Sequence, residues 1–206
     1  MGAVMPVKYR VEGAVAYLTI DNGELNLLSP VELRDLYDGV MAMLMDTDVR
    51  VGVLSGEGER AFSAGADLKY PDSPEASDHQ QSVLAELTPR RRLPGADPDW
   101  EYDSDLQAME RYKPIVAAVR GWCLGAGLIH LLQLTDIRVC SPDAKFGFPE
   151  IAYGMGGAGG MTRLGRQIPH TAAMKLTLTG EPITADEAVA CSLVNEQVPA
   201  SRVLER

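Results

Sequence analysis

The sequence predicts an α/β domain in which helices pack on a mostly parallel sheet. Short apolar runs of strand length alternate with segments of helical periodicity along almost the whole chain. Several of those runs end at glycines beside helix starts, where backbone N–H groups come free. With 206 residues, 46% of them apolar, the chain can bury a core without disulfide staples, and its length fits one domain over residues 1–206.

The elements follow in order. Val7–Val11 and Ala14–Ile20 read as two strands around the Glu12-Gly13 break, and Asp21-Asn22-Gly23 closes the second with turn residues. Ser29-Pro30-Val31-Glu32 is a capping box with proline at the first helical position. Leu33, Leu36, Val40, Met43 and Leu44 then keep helical spacing to about Asp46. Val49–Ser55 is a buried-strand candidate, and Phe62–Gly65 is a shorter one. Pro71 to about Asp105 differs in character, with five prolines, nine acidic residues and the Arg90-Arg91-Arg92 triplet. It reads as a surface insertion of the kind that often covers a binding site, with a helix possible at Gln80–Leu87. Leu106–Tyr112 is read as a helix stopped by Pro114.

Beyond it, Ile115–Val119 is a strand, Gly125-Ala126-Gly127 a turn, Leu128–Leu134 a helix, and Ile137–Cys140 and Lys145–Phe148 two further strands. Helices are expected around Thr162–Gln167 and Thr171–Leu178. A third follows the Thr184-Ala185-Asp186-Glu187 cap, and Val194–Val198 is a last strand.

Composition excludes several classes. Nineteen basic against 29 acidic residues leave a formal net charge of −10, which disfavours nucleic-acid partners. The three cysteines, Cys123, Cys140 and Cys191, are far apart and read as reduced structural thiols. Met1–Val7 lacks the pattern of a signal peptide, and the most apolar stretch, Trp122–Leu134, is too short to span a bilayer as a lipid-facing helix. These readings together predict a cytoplasmic protein with no membrane partner.

Few motifs carry chemistry on their own. Gly154-Met155-Gly156-Gly157-Ala158-Gly159 matches GxGxxG but lacks a clean preceding strand, so tight backbone packing is the better reading than dinucleotide binding. Ala61-Phe62-Ser63-Ala64-Gly65 is not a nucleophile elbow. His79, His130 and His170 have no metal-ligand spacing, and no metal is expected. Glu150 sits among aromatic and apolar neighbours that raise a carboxyl pKa toward neutrality, although a helix-start carboxylate favoured by the dipole explains it equally well. The turns Ala64-Gly65-Ala66-Asp67 and Gly125-Ala126-Gly127-Leu128 each place small residues after a strand. One N–H from each could converge on an oxyanion, or both could simply be tight strand–helix turns.

Taken jointly, these segments resemble the crotonase (enoyl-CoA hydratase/isomerase) superfamily. Ala61–Lys69 is similar to its first signature, and Asn26 with Leu28-Ser29 to its opening of the first helix. Lys113–Gly121 is similar to its central strand. Gly125-Ala126-Gly127, Asp136, Phe146-Gly147 with Pro149-Glu150, Gly157–Gly160 and Arg163-Leu164 complete the second half, and Ala185–Val198 resembles the tail.

The resemblance implies a ββα spiral with two roughly perpendicular sheets surrounded by helices. It implies an acyl-CoA thioester substrate, no cofactor beyond the coenzyme A of that substrate, and an oxyanion hole for the thioester enolate. One donor maps to the N–H of Ala66 and the other to Gly127 or Ala126. Ala64, Ala66, Asp67, Leu68 and Lys69 map to the segment lining the acyl-CoA site, and Glu150 to the second of the two glutamates of hydratases. The first glutamate has no counterpart. Counting back six residues from Asp136 gives His130, and counting forward from the turn gives Ile129. His130 is therefore either a second acid–base group or a polar wall. That departure leaves other enolate chemistry open: decarboxylation, thioester or β-diketone hydrolysis, retro-aldol cleavage, or a non-catalytic acyl-CoA-binding role. The helical C-terminal region of the family has no counterpart before Arg206. A homotrimer or dimer of trimers is expected if that region is present.

Overall fold

The computed structural model describes residues 6–69, 101–155 and 161–206. β1 (Val7–Glu12) and β2 (Val15–Ile20) form an antiparallel hairpin, followed by α1 (Pro30–Met45), β3 (Val51–Gly56) and β4 (Ala61–Ser63). After α2 (Glu101–Ala108) come β5 (Ile115–Val119), β6 (Trp122–Leu124), α3 (Ala126–Leu134), β7 (Ile137–Cys140) and β8 (Lys145–Gly147). A 3-10 helix, Pro149–Tyr153, precedes α4 (Met161–Gln167) and α5 (His170–Thr179). β9 (Ile183–Thr184), α6 (Ala185–Ala190), β10 (Glu196–Gln197) and a final 3-10 turn, Ala200–Arg202, complete the described chain.

Two sheets result, one of six strands in the order β1-β2-β3-β5-β7-β10 and one of four in the order β4-β6-β8-β9. From β2 onward every pairing in the first is parallel, and β4-β6-β8 is parallel in the second. β2 buries Ala16, Leu18 and Ile20, and α1 lays Leu33, Leu36, Val40, Met43 and Leu44 into the same core. Two glycines permit that close packing: a methyl group on Gly52 would lie 2.5 Å from Met43 Sδ, and one on Gly39 would lie 2.8 Å from Leu18. The capping box is present. Ser29 Oγ accepts the Val31 N–H at 3.2 Å, and the Glu32 carboxylate accepts the Ser29 N–H at 2.7 Å.

The other end of α1 explains one departure from the sequence reading. The helix expected at Leu106–Tyr112 is α2, which begins at Glu101 within the predicted insertion and stops at Ala108. α1 has no basic residue in its last turn. Lys113 Nζ reaches its Met43 and Asp46 carbonyls at 2.8 and 2.5 Å, and Tyr112 OH donates to Leu44 O at 2.5 Å. The segment after Ala108 is thus drawn out of a helix to cap α1. The expected strand Val194–Val198 narrows to β10, while β6 and β9 were not anticipated because they are only three and two residues long. The Gln80–Leu87 helix, His79 and most of the insertion lie outside the described residues, as does most of the GxGxxG run.

All three cysteines are free thiols. Burial pushes Cys123 and Cys140 upward, Cys140 to about 11, so neither is a nucleophile at neutral pH. Arg138 is buried and ties α3 to its surroundings. It donates to Thr135 Oγ1 and O, Leu193 O and Gln167 Oε1 at 2.6–3.2 Å. No described helix is long and apolar enough to cross a membrane.

Candidate active site

The small sheet builds the site. β4, β6 and β8 are neighbouring parallel strands, so the segments that follow them emerge at the same edge. Those segments carry Ala66, Ala126 and Glu150 in turn.

The first turn is held from the α1 side. Asn26, fully buried at φ 48°, donates to Glu57 O at 3.0 Å and Ala61 O at 2.7 Å. It thereby fixes the chain leading to Leu28, which forms a parallel bridge with Ala66. The Leu28 N–H donates to Gly65 O, and the Asp67 N–H donates to Leu28 O, each at 2.9 Å. This pairing uses the groups on either side of Ala66 and leaves the Ala66 N–H without an acceptor among the described residues. Ser63 is fully buried, with its Oγ accepting the Gly65 N–H at 3.2 Å, a structural role that rules out an exposed nucleophile.

The second turn begins α3. Gly125 is its N-cap at φ 51°, and the Ile129 N–H donates to Gly125 O as the first intrahelical bond. The Ala126, Gly127 and Leu128 amides therefore have no intrahelical acceptor at the helix N-terminus. Of the two candidates, Gly127 is buried and pressed against β4, where a methyl would lie 2.6 Å from Ser63 O. Ala126 is half-buried, and its nitrogen lies 3.6 Å from where a methyl on Gly65 would sit. The two glycine turns are thus in contact through Gly65, Gly125 and Ala126.

Glu150 faces the same point from the 3-10 helix after β8. Its Oε1 lies 2.9 Å from the position of a Cβ on Gly125, which is itself 3.8 Å from Gly65 Cα. Oε2 is buried with no partner among the described residues. Burial raises this carboxyl above its ordinary value, and its own backbone N–H only partly offsets that. A carboxyl so placed can exchange a proton with a group held at the turns.

His130 lies one turn along α3 and is 1% exposed. Its Nε2 is 2.9 Å from Asp103 Oδ1 of α2, within ion-pair distance. The contact is off the N–H axis, so both ring nitrogens lack an aligned hydrogen-bond partner among the described residues. Asp103 carried no signal in the sequence, because its approach to His130 depends on how α2 docks. In the acyl-site segment, Ala64, Ala66 and Asp67 are half-buried, Leu68 and Lys69 are exposed, and the Lys69 N–H donates to Asp67 Oδ1 at 3.0 Å. His170 only begins α5. Among the described residues no cluster of side chains could hold a metal ion.

Parallel strands here deliver two main-chain donors without acceptors among the described residues beside a raised carboxyl, an arrangement chemically suited to holding an oxyanion next to a proton carrier. The comparisons with known proteins name the family. Residues 10–206 match the enoyl-CoA hydratase/isomerase family model. The chain is 35% identical over 203 residues to (E)-benzylidenesuccinyl-CoA hydratase of Thauera aromatica, covering 98% of this chain and 73% of that protein. It is 36% identical over 181 residues to 2,3-dehydroadipyl-CoA hydratase of Escherichia coli, covering 87% and 64%. A carnitinyl-CoA dehydratase structure from Mycobacterium avium superposes with a TM-score of 0.78 at 32% identity, over 98% of this chain and 73% of that one. The chain belongs to the enoyl-CoA hydratase/isomerase family and is an acyl-CoA enzyme of that type.

Proposed function

We propose that the chain hydrates a 2-enoyl-CoA thioester, with the thioester carbonyl oxygen held by the Ala66 and Ala126 amides. Glu150 takes a proton from water as the water oxygen bonds to C3. The displaced π electrons move onto the carbonyl oxygen, and the enolate collapses by taking the proton at C2 from Glu150. Water is added across the double bond, and the carboxylate is regenerated. Each main-chain donor lowers the barrier by about 3 kcal/mol. The half-buried strip Ala64, Ala66 and Asp67, with Leu68 and Lys69 at its exposed end, receives the acyl-CoA. The observation that carries this reading is the raised Glu150 carboxyl set against the Gly125 turn.

A second reading has one supporting observation. Glu150 Oε1 is the carboxyl oxygen set against the Gly125 turn, and a single base suffices to carry an α-proton to the γ-carbon. Glu150→Gln tests both. It is expected to retain acyl-CoA binding and lose at least about 100-fold in turnover. The wild-type kcat/KM should fall as pH drops through the Glu150 value, because the base must be ionised. That limb should lie above the ordinary 4.5. Incorporation of labelled water oxygen identifies hydration, and double-bond migration without it identifies isomerisation. Full activity in the variant would remove Glu150 from the mechanism. We further propose a cytoplasmic location, and a homotrimer where the family's C-terminal helical region is present, with the exposed apolar side chains Ile151, Tyr153 and Leu178 as a contact surface.

A further inference from the structure

We propose that His130 holds the attacking water and that Asp103 is its positioning residue. Asp103 keeps the imidazole proton on Nε2, so Nδ1 is left as an acceptor for the water hydrogen that Glu150 does not take. The inference rests on the hydratase reading.

Three observations carry it. A histidine 1% exposed with both ring nitrogens unaligned is unusual, since buried polar atoms almost always find partners. His130 also follows Ala126 by four residues and Gly127 by three, so it lies on their side of α3. Helical side chains lean toward the N-terminus of their helix, which for His130 is the end that carries these amides. Finally, the Asp103 carboxylate is itself fixed. Oδ1 sits 2.9 Å from Nε2, while Oδ2 accepts from Gln107 Nε2 at 2.8 Å, and Arg163 donates to Gln107 O at 2.9 Å. Even without an aligned bond, a carboxylate charge 2.9 Å from one ring nitrogen favours the proton on that nitrogen and leaves the other as the acceptor. Glu150, whose Oε1 lies against the Gly125 turn, likewise has its buried Oε2 without a partner among the described residues. A water shared by Glu150 and Nδ1 would satisfy both groups and direct its lone pair toward C3.

The bland alternative is a buried pair that only fastens α2 to α3. Hydration is separable from enolate formation, so the full 206-residue chain can be tested on both. Crotonyl-CoA reports water addition. Exchange of the α-protons of butyryl-CoA in D2O needs Glu150 and the oxyanion donors but no attacking water. Asp103→Asn is expected to lower kcat for hydration roughly tenfold to a hundredfold. KM and the exchange rate should stay within about threefold, and Asp103→Glu should recover part of the loss. Imidazole 15N spectra, assigned by comparison with His130→Gln, should show the Nε2–H tautomer in the wild type and its loss in Asp103→Asn. An Nδ1–H tautomer in the wild type, or hydration and exchange falling together, or neither falling, overturns the pair's role. If the wild type exchanges α-protons but adds no water, the hydratase reading fails and takes this inference with it. Hydration that needs Glu150 but not Asp103 sinks the inference alone.

Discussion

Gly125 is under two constraints at once. Its φ of 51° belongs to the region that side chains avoid, and its missing Cβ leaves room for Glu150 Oε1 2.9 Å away. Gly125→Ala therefore strains the start of α3 and pushes the proton carrier off the turn. A displacement of about 1 Å at a reacting group costs roughly 100-fold in rate. We expect kcat to fall by about that factor while the protein remains folded by circular dichroism, with Glu150 still present but misplaced. Retained kcat in this variant would show that Glu150 reaches its substrate from another direction.

At the scale of elements, the loop between β2 and α1 acts as a brace for the first turn. Asn26→Ala would leave Ala61 O buried, and the part-buried Glu57 O, without the donor they now share. A buried carbonyl without its partner costs about 1–3 kcal/mol, so a loss of about 1–3 kcal/mol in urea unfolding is expected. The kcat should drop as well, because Leu28 no longer fixes Gly65 and Ala66. A variant as stable as the wild type would show that the brace is dispensable.

The same scale shows what the sequence could and could not reveal. β5 and β7 were read to the residue, since continuous apolar runs between clear stops leave little choice. The capping box located α1 because its chemistry is local. β6 and β9, at three and two residues, are strands only by virtue of their partners, and no periodicity announces them. Glu150 and the two turns were legible as candidates. The grounds for proposing Ala126 rather than Gly127 were not, because they depend on Ser63 lying behind Gly127. Asp103 was invisible for the same reason: its meaning comes from a helix packed against it.

For the molecule as a whole, the question is association. Ile151, Tyr153 and Met155 on or just past the 3-10 helix, with Leu178 on α5, present large apolar side chains to solvent close to the proton carrier. Single exposed apolar residues are ordinary, but several on adjoining elements mark a contact surface. Sedimentation equilibrium is expected to show the 22.2 kDa chain self-associating through this surface, as a trimer where the family's C-terminal helical region is present. Tyr153→Glu should shift that equilibrium toward the monomer. A monomer at all concentrations would exclude that association.

The three strands that feed the site donate two kinds of chemical group, and these differ in how they can be lost. Glu150 is a side chain, so one base change can replace it. The donors at positions 66 and 126 belong to the main chain, and every amino acid except proline supplies them. In the proposed mechanism, recognition of the thioester oxygen is thus written into the path of the backbone, while the choice of reaction is written into replaceable side chains. A fold divided in this way can exchange one enolate chemistry for another without surrendering its hold on the substrate.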